Sequence, residues 1–301
     1  MSVKFRLQDT QKSQTFQLKE VNLPKFAEPP KTHQNYSRNR KKIVAVASSG
    51  KGGTGKSTVA VQLAMLFQER NQRTVLVDMD IPHGDIATML KLSDERCLTD
   101  WVGVPKNLNE HQIHNLLLNS ANDLKVLPSI RAIEEQEKVN RPEFVRKLMD
   151  HLKIFDVIVV DTGPNLEPMT LEVLLLSTDI LFVTELYEPA LNNIYRGKEE
   201  FKKKNGDPHK INVIVNKMKK KSNGIYHSVQ RLTGISNISF LPYVEKMPEM
   251  TDKGFFLALK KKNHPYVKTL LELVEDISPK VDQPLSLYPK RKGLFSWIGG
   301  R

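Results

Sequence analysis

The stretch Ile43-Val44-Ala45-Val46-Ala47-Ser48-Ser49-Gly50-Lys51-Gly52-Gly53-Thr54-Gly55-Lys56-Ser57 decides the fold. Its opening apolar run is short enough to suit a strand buried on both faces, and it breaks into a glycine-rich turn. Gly50, Gly55, Lys56 and Ser57 satisfy the spacing G-x-x-x-x-G-K-[ST], and a helix is expected from Lys56 through Val59, Leu63 and Leu66. Strand, glycine loop and helix in that order form the context in which this spacing cradles phosphate. Glycines let loop N–H groups converge on phosphate oxygens, and the helix N-terminus adds positive potential. Lys56 can then reach the β- and γ-phosphates while Ser57 ligates Mg2+.

Working outward, short apolar runs recur at Thr74 to Asp78, Leu124 to Leu127, Asp156 to Asp161, Ile180 to Thr184, Ile211 to Asn216 and Ile238 to Leu241. Helical stretches separate them, clearest at Phe144 to Leu152, Leu171 to Leu176 and Tyr195 to Lys203, with Tyr266 to Glu275 closing the series. Strands alternating with helices predict an α/β fold, a parallel sheet with helices on both faces.

A phosphate loop needs a carboxylate at a nearby strand end, and Val157-Ile158-Val159-Val160-Asp161 supplies Asp161 as a magnesium ligand. Gly163, in Thr162-Gly163-Pro164, is a candidate for bringing a backbone amide to the γ-phosphate. Val75-Leu76-Val77-Asp78-Met79-Asp80 sets Asp78 and Asp80 at the carboxyl edge of the sheet, where either can face the metal or the attacking water. Asp85 is open between that role and a solvated turn.

With 39% hydrophobic and 27% charged residues in 301, the chain reads as soluble, and no run approaches the ~18 apolar residues of a membrane span. The N-terminal sequence carries no apolar secretory segment, so a cytoplasmic location is expected. Cys97 is the single cysteine, which excludes an intramolecular disulfide framework and any iron–sulfur or zinc site needing several thiolates from one chain. The net charge of +12 is unevenly spread. Residues 1–42 carry ten Lys/Arg against three Asp/Glu, residues 278–301 carry five against one, and the middle is close to neutral. Four parts are therefore expected: a flexible basic segment at 1–42, a nucleotide-binding domain at 43–277, a proline-containing linker at 278–289 and a basic amphipathic tail at 290–301.

The loop Lys51-Gly52-Gly53-Thr54-Gly55-Lys56-Ser57-Thr58 carries a second lysine that ordinary phosphate loops lack, and so resembles the deviant Walker A loop of the ParA/MinD ATPases. The likeness spans about residues 41–277, with Val-Asp-Met-Asp and Val-Val-Asp-Thr-Gly-Pro in the family's order. It implies a P-loop ATPase using ATP and Mg2+, in which two subunits sandwich two ATP molecules. By resemblance Lys51 reaches the partner's nucleotide and Asp80 positions the attacking water. Asp78 lies near the magnesium shell, Asp161 is the Walker B carboxylate, Asn216 contacts adenine and Pro242 passes the purine. Gly50, Gly52, Gly53, Thr54, Gly55, Lys56, Ser57 and Thr58 wrap the phosphates. Asp80-Ile81-Pro82-His83-Gly84-Asp85-Ile86-Ala87 resembles the corresponding stretch of the CpaE/TadZ pilus-assembly branch, while the basic tail is similar to the end of MinD.

On a helix, Leu294, Phe295, Trp297 and Ile298 share one face, with Lys290, Arg291 and Lys292 just upstream. That layout suits weak, reversible binding to anionic lipid, strengthened when a homodimer presents two copies. The expectation is an ATP-dependent dimerisation switch that slowly hydrolyses ATP and positions or regulates a cellular assembly at the inner membrane surface, with a protein activator or cargo. Two other readings remain open: a DNA-partition ATPase using Lys202 to Lys204, Lys217 to Lys221 and Lys260 to Lys262, and a nucleotide-binding scaffold with negligible hydrolysis.

Overall fold

The structure, a computed structural model, describes residues 41–279 except 49, 51, 94, 121–122 and 220–222. Lys51, the tail 290–301, the segment up to residue 40 and most of the linker 278–289 lie outside the described residues.

Eight strands form one sheet: β1 (Lys42–Ala47), β2 (Thr74–Met79), β3 (Leu118–Asn119), β4 (Lys125–Leu127), β5 (Val157–Thr162), β6 (Asp179–Glu185), β7 (Ile211–Met218) and β8 (Ile238–Pro242). Their order is β3-β4-β2-β5-β1-β6-β7-β8, and every pairing is parallel except the antiparallel β3–β4 at the edge. The helices are α1 (Lys56–Glu69), α2 (Ile86–Leu90), α3 (Glu110–Asn115), α4 (Gln136–Val139), α5 (Pro142–Leu152) and α6 (Pro168–Leu176). They continue with α7 (Glu188–Lys203), α8 (Asn223–Thr233), α9 (Met247–Asp252), α10 (Leu257–Lys260) and α11 (Pro265–Ile277).

The two-residue period of the strands builds two cores. Ala45, Val75, Ile158, Val160, Phe182 and Val213 point into one, which is covered from the other side by residues of α5 to α8. Val44, Val46, Leu76, Val159, Leu181 and Ile214 point into the second, beneath α1, α10 and α11. Burial on both faces explains why these strands read as continuous apolar runs. Helix α1 is enclosed almost all round, including the wholly buried Gln62, whose Oε1 accepts the Ala258 N–H at 3.1 Å. A polar side chain is tolerated there because it holds the α10 segment against α1.

Proline at the first turn of α5, α6, α7 and α11 starts four helices where its missing N–H has no intrahelical partner. The expected strands all form, to within two residues at their ends. The antiparallel β3 and the helices α2, α3, α4, α8, α9 and α10 are additions that the apolar periodicity did not announce.

Candidate functional site

The central position of β1 between β5 and β6 decides where the site lies, because the loop after β1 opens over the carboxyl edge of the sheet where the chain switches from adding strands on one side of β1 to adding them on the other. Gly55, at φ 88°, caps α1, and Gly50 and Gly53 also adopt left-handed backbone. At Gly55 the requirement is doubled, since an added Cβ would overlap Asn216 Nδ2. The Gly50 N–H donates to the Pro164 carbonyl at 2.8 Å, tying the start of the loop to the turn after β5.

Lys56 lies between two carboxylates. Its Nζ donates to Asp161 Oδ1 at 2.8 Å and to Asp80 Oδ2 at 3.0 Å, and the residue is 7% exposed. Burial alone would lower its pKa, but Asp161 and then Asp80 carry it above the ordinary lysine value, so the ammonium persists. Burial lifts the carboxyl of Asp161, and Lys56 and Ser57 oppose that lift. Asp161 Oδ2 is buried without a hydrogen-bond partner.

That orphaned oxygen beside Ser57 suits a hard divalent cation. Among the described residues no group of three or more His, Cys, Asp or Glu side chains could hold a metal unaided. A magnesium ion here would take its remaining ligands from phosphates and water, as Mg2+ commonly does.

Asp78 behaves differently from the metal ligand expected of it. The β2–β5 register sets it directly opposite Asp161, yet its Oδ1 accepts the Asp80 N–H and its Oδ2 the Ile86 N–H, both at 3.1 Å. It is wholly buried and pushed up to about 8, by burial first and then by Asp161. Its two oxygens fasten the loop between β2 and α2, which aims Asp80. Gly84 sits so close that a Cβ there would overlap Asp78 Oδ2.

On the other flank of the loop, the Asn216 Nδ2 donates to the Thr54 carbonyl at 2.8 Å and its Oδ1 accepts the Lys217 N–H. The side-chain amide expected to contact adenine is thus engaged in shaping the loop. The apolar pattern of β7 gave no sign of Lys217, which was grouped with surface lysines. Its Nζ donates to the Gly53 carbonyl and to Glu185 Oε1, each at 2.6 Å, so it belongs to the loop and not to an open basic surface. Its position beside Asn216 at a strand end was the available signal. Of the other lysines considered for DNA, Lys202, Lys203 and Lys262 pair with Glu199, Glu200 and Glu69.

The loop opens into a cleft of about 670 Å³. Gly52, Gly53, Thr54, Gly55, Lys56, Ser57 and Thr58 line it, as do Asp80, Asp85, Asn216 and Pro242. Asp161 and Asp78 stand behind this surface. Gly163 does not line it either, but an added Cβ there would stand 3.5 Å from Asp80 Oδ1, an ordinary contact, so no steric need demands glycine.

Residues 39–278 match the ParA family model, described as NUBPL iron-transfer P-loop NTPase. The septum site-determining protein MinD of Helicobacter pylori is 28% identical over 239 residues, spanning 75% of this chain and 84% of that protein. The crystal structure of a ParA family ATPase from Chlorobium tepidum superposes with a TM-score of 0.70 at 20% identity, covering 78% of this chain and 99% of that one. MinD from Pyrococcus horikoshii, solved in complex with Mg-ADP, gives a TM-score of 0.64 at 21% identity, with coverages of 79% and 96%. At these identities the structural likeness speaks to the fold. The iron-transfer description finds no thiolate set in this chain, whose one cysteine, Cys97, is buried with Sγ 3.0 Å from Thr99 Oγ1.

Proposed function

The chain belongs to the ParA family of P-loop NTPases, and from that premise we propose that it is an ATP-dependent dimerisation switch that hydrolyses ATP slowly and positions or regulates a cellular assembly. The observation that carries this reading is Lys56, held at the cleft between Asp80 and Asp161. A buried ammonium on two carboxylates is poised to exchange one of them for a phosphate oxygen. The N–H groups of Gly52 to Thr58 wrap the phosphates.

When bound, Mg2+ would neutralise phosphate charge, and Ser57 and Asp161 are the residues to hold it. Asp80, freed as Lys56 turns to the phosphates, orients the attacking water and accepts its proton. Asp78 keeps Asp80 in place through the two loop amides. Gly163, beside Asp80, offers its amide at the γ-phosphate position. Pro242 and the wall of the cleft near Asn216 flank the base. In this reading Lys51 is the charge that one subunit contributes to its partner's nucleotide, so the chemistry is completed in the dimer.

The readout surface follows from the tail Lys290 to Ile298, whose cations and aromatic residues suit an anionic membrane when two copies act together. Among the described residues no helix is long and apolar enough to cross a membrane, so association of this part would be peripheral.

The test measures sedimentation with ATP and with ADP, alone, with anionic liposomes and with duplex DNA. ATP should convert monomer to dimer and bring the dimer down with liposomes, and Lys51→Ala should abolish dimer-dependent hydrolysis while sparing ATP binding. Dimerisation that survives both Lys51→Ala and Lys56→Ala would sink the switch. ATP-dependent retention on DNA with a steep salt slope, in place of liposome binding, would replace the membrane as the working surface.

A further inference from the structure

A second cavity, of about 320 Å³, lies at the amino edge of the sheet and takes no part in the nucleotide reading. Ile211, the first residue of β7, lines it, whereas Asn216, near the other end of that strand, lines the nucleotide cleft. Five residues of extended strand set these two about 16 Å apart. Lys198 and Lys202 of α7 line the cavity, as do His209 of the short turn Pro208–Lys210 and Ser236 and Asn237 of the loop before β8. No Asp or Glu is among the described residues that line it.

Lys198 is the unusual member of this set. It belongs to the buried stripe of α7, with Ala190, Leu191, Ile194 and Phe201, and is 8% exposed. Lysine is almost never buried so deeply unless paired, because its ammonium gives up its hydration. Here Nζ donates to the Thr233 carbonyl at 3.0 Å and the Gly234 carbonyl at 3.4 Å, and lies 4.8 Å from the centre of the Tyr195 ring. An added Cβ at Gly234 would overlap that Nζ, so the glycine keeps room for the ammonium. All these partners are neutral and leave the charge in place. The partly exposed Glu199 reaches Lys198 at 3.7 Å and Lys202 at 3.6 Å, beyond hydrogen-bond distance of either. One carboxylate thus serves two ammonium groups, both at arm's length.

The other walls are held from outside the cavity. Asp207 Oδ1 accepts the His209 backbone N–H at 3.0 Å. Ser236 Oγ accepts Gln230 Nε2 at 3.0 Å and the Ser236 carbonyl accepts the Tyr226 hydroxyl at 2.8 Å, which leaves the Ser236 O–H to donate.

We propose that this cavity binds a phosphate group, free or carried as a monoester on a small molecule, at a site separate from the nucleotide cleft. Phosphate presents its acceptor oxygens in a tetrahedron, which suits donors arriving from α7, from the turn at His209 and from the loop before β8. A carboxylate, with two oxygens in one plane, could meet only part of that set. The volume is at the small end of ligand pockets, which run from about 300 to 1,000 Å³, and so admits a small group esterified to the phosphate.

The test follows the His209 imidazole resonances of the full chain by NMR, at constant pH and ionic strength, during titration with inorganic phosphate, glycerol 2-phosphate, acetate or duplex DNA. A saturable shift is expected with both phosphates and none with acetate. Lys202→Ala should weaken phosphate affinity about threefold to fivefold, and Glu199→Gln should strengthen it about twofold by removing a competing charge. Lys198→Met should abolish the saturable shift, with a thermal melt to show that α8 survives the loss of its cap. Lys202 is exposed, so its variant decides the matter independently of folding. Tighter binding of the ester identifies a phosphorylated molecule as the ligand, and the reverse order identifies free phosphate; either supports the site. Failure to saturate with both phosphates, an equal response to acetate, or unchanged affinity in Lys202→Ala would overturn it. A response to DNA alone would do so too, assigning this basic surface to nucleic acid.

Discussion

The two flanks of the phosphate loop hold it by different means. Toward β2 and β5 the hold is ionic, with Lys56 on Asp80 and Asp161. Toward β6 and β7 the hold is on carbonyls, with Asn216 on Thr54 and Lys217 on Gly53. In the proposed reading a phosphate would compete for the lysine on the first flank, whereas the carbonyls on the second, which cannot bind an anion, would keep their donors. If so, the first flank would change partner on binding and the second would be a frame that stays.

Lys56→Ala should break the ionic flank outright. Turnover is expected to fall by about two to three orders of magnitude. The nucleotide-free melting temperature should fall as well, because Asp161 is left buried without its countercharge. A steady-state ATPase assay and a thermal melt check the pair, and a variant with parental affinity and turnover would mean that the ionic flank is not where phosphate binds.

Asn216→Ala tests the frame. Leaving the Thr54 carbonyl unpaired should cost about 1–3 kcal/mol and lower the melting temperature by about 2–4 °C for each of them. Gly55→Ala should cost a similar amount, from its left-handed backbone at φ 88° and from overlap with Asn216 Nδ2. The double variant sharpens the comparison: with the Asn216 side chain gone the overlap is relieved, so its loss should be clearly less than the sum of the two singles. Additive losses would separate Gly55 from the frame.

Lys217→Met should have a smaller effect, because the lysine is 42% exposed and its pairing with Glu185 is open to solvent. A change in stability below about 1 kcal/mol is expected, with a KM for ATP raised no more than about fivefold.

The smallest effect is a control away from the loop. His151, packed against Trp101, has its pKa held below the ordinary 6.5 by burial and then by Lys147, with Asp150 opposing. The unfolded chain therefore takes up its proton first as pH falls, so the stability this group contributes is present above pH 6.5 and is lost below it. Denaturant melts should show that slope, and His151→Gln should flatten it without changing ATP affinity.

The features legible in the sequence were those with a local signature. Ile43 to Ala47 and Val157 to Asp161 read as strands because burial on both faces makes them continuously apolar, and the loop spacing announced Lys56. The two residues of β3 are too few for any period to appear. Helix α8 offers only Ile225, Val229 and Leu232 as an apolar stripe, directly after a lysine run. Asp78 and Asp80 look equivalent along the chain. What separates them is the register that sets Asp78 against Asp161, together with the amides of Asp80 and Ile86 folding back onto it. Lys217 was hidden for the same reason: its partners depend on which strands become neighbours.

The central position of β1 carries a consequence for how the protein is made. Its sheet neighbours are β5 and β6, so Lys42 waits for Val157 and Val44 for Asp179. On the ribosome the glycine loop emerges before β5 and β6, beside a strand with no edge to join, and α1 has no sheet to cover. Closing so long a segment before any pairing rewards it makes this an intrinsically slow step. The loop is thus translated before the strands that hold its own strand in place, and a nascent chain cut short before β5 should hold no nucleotide.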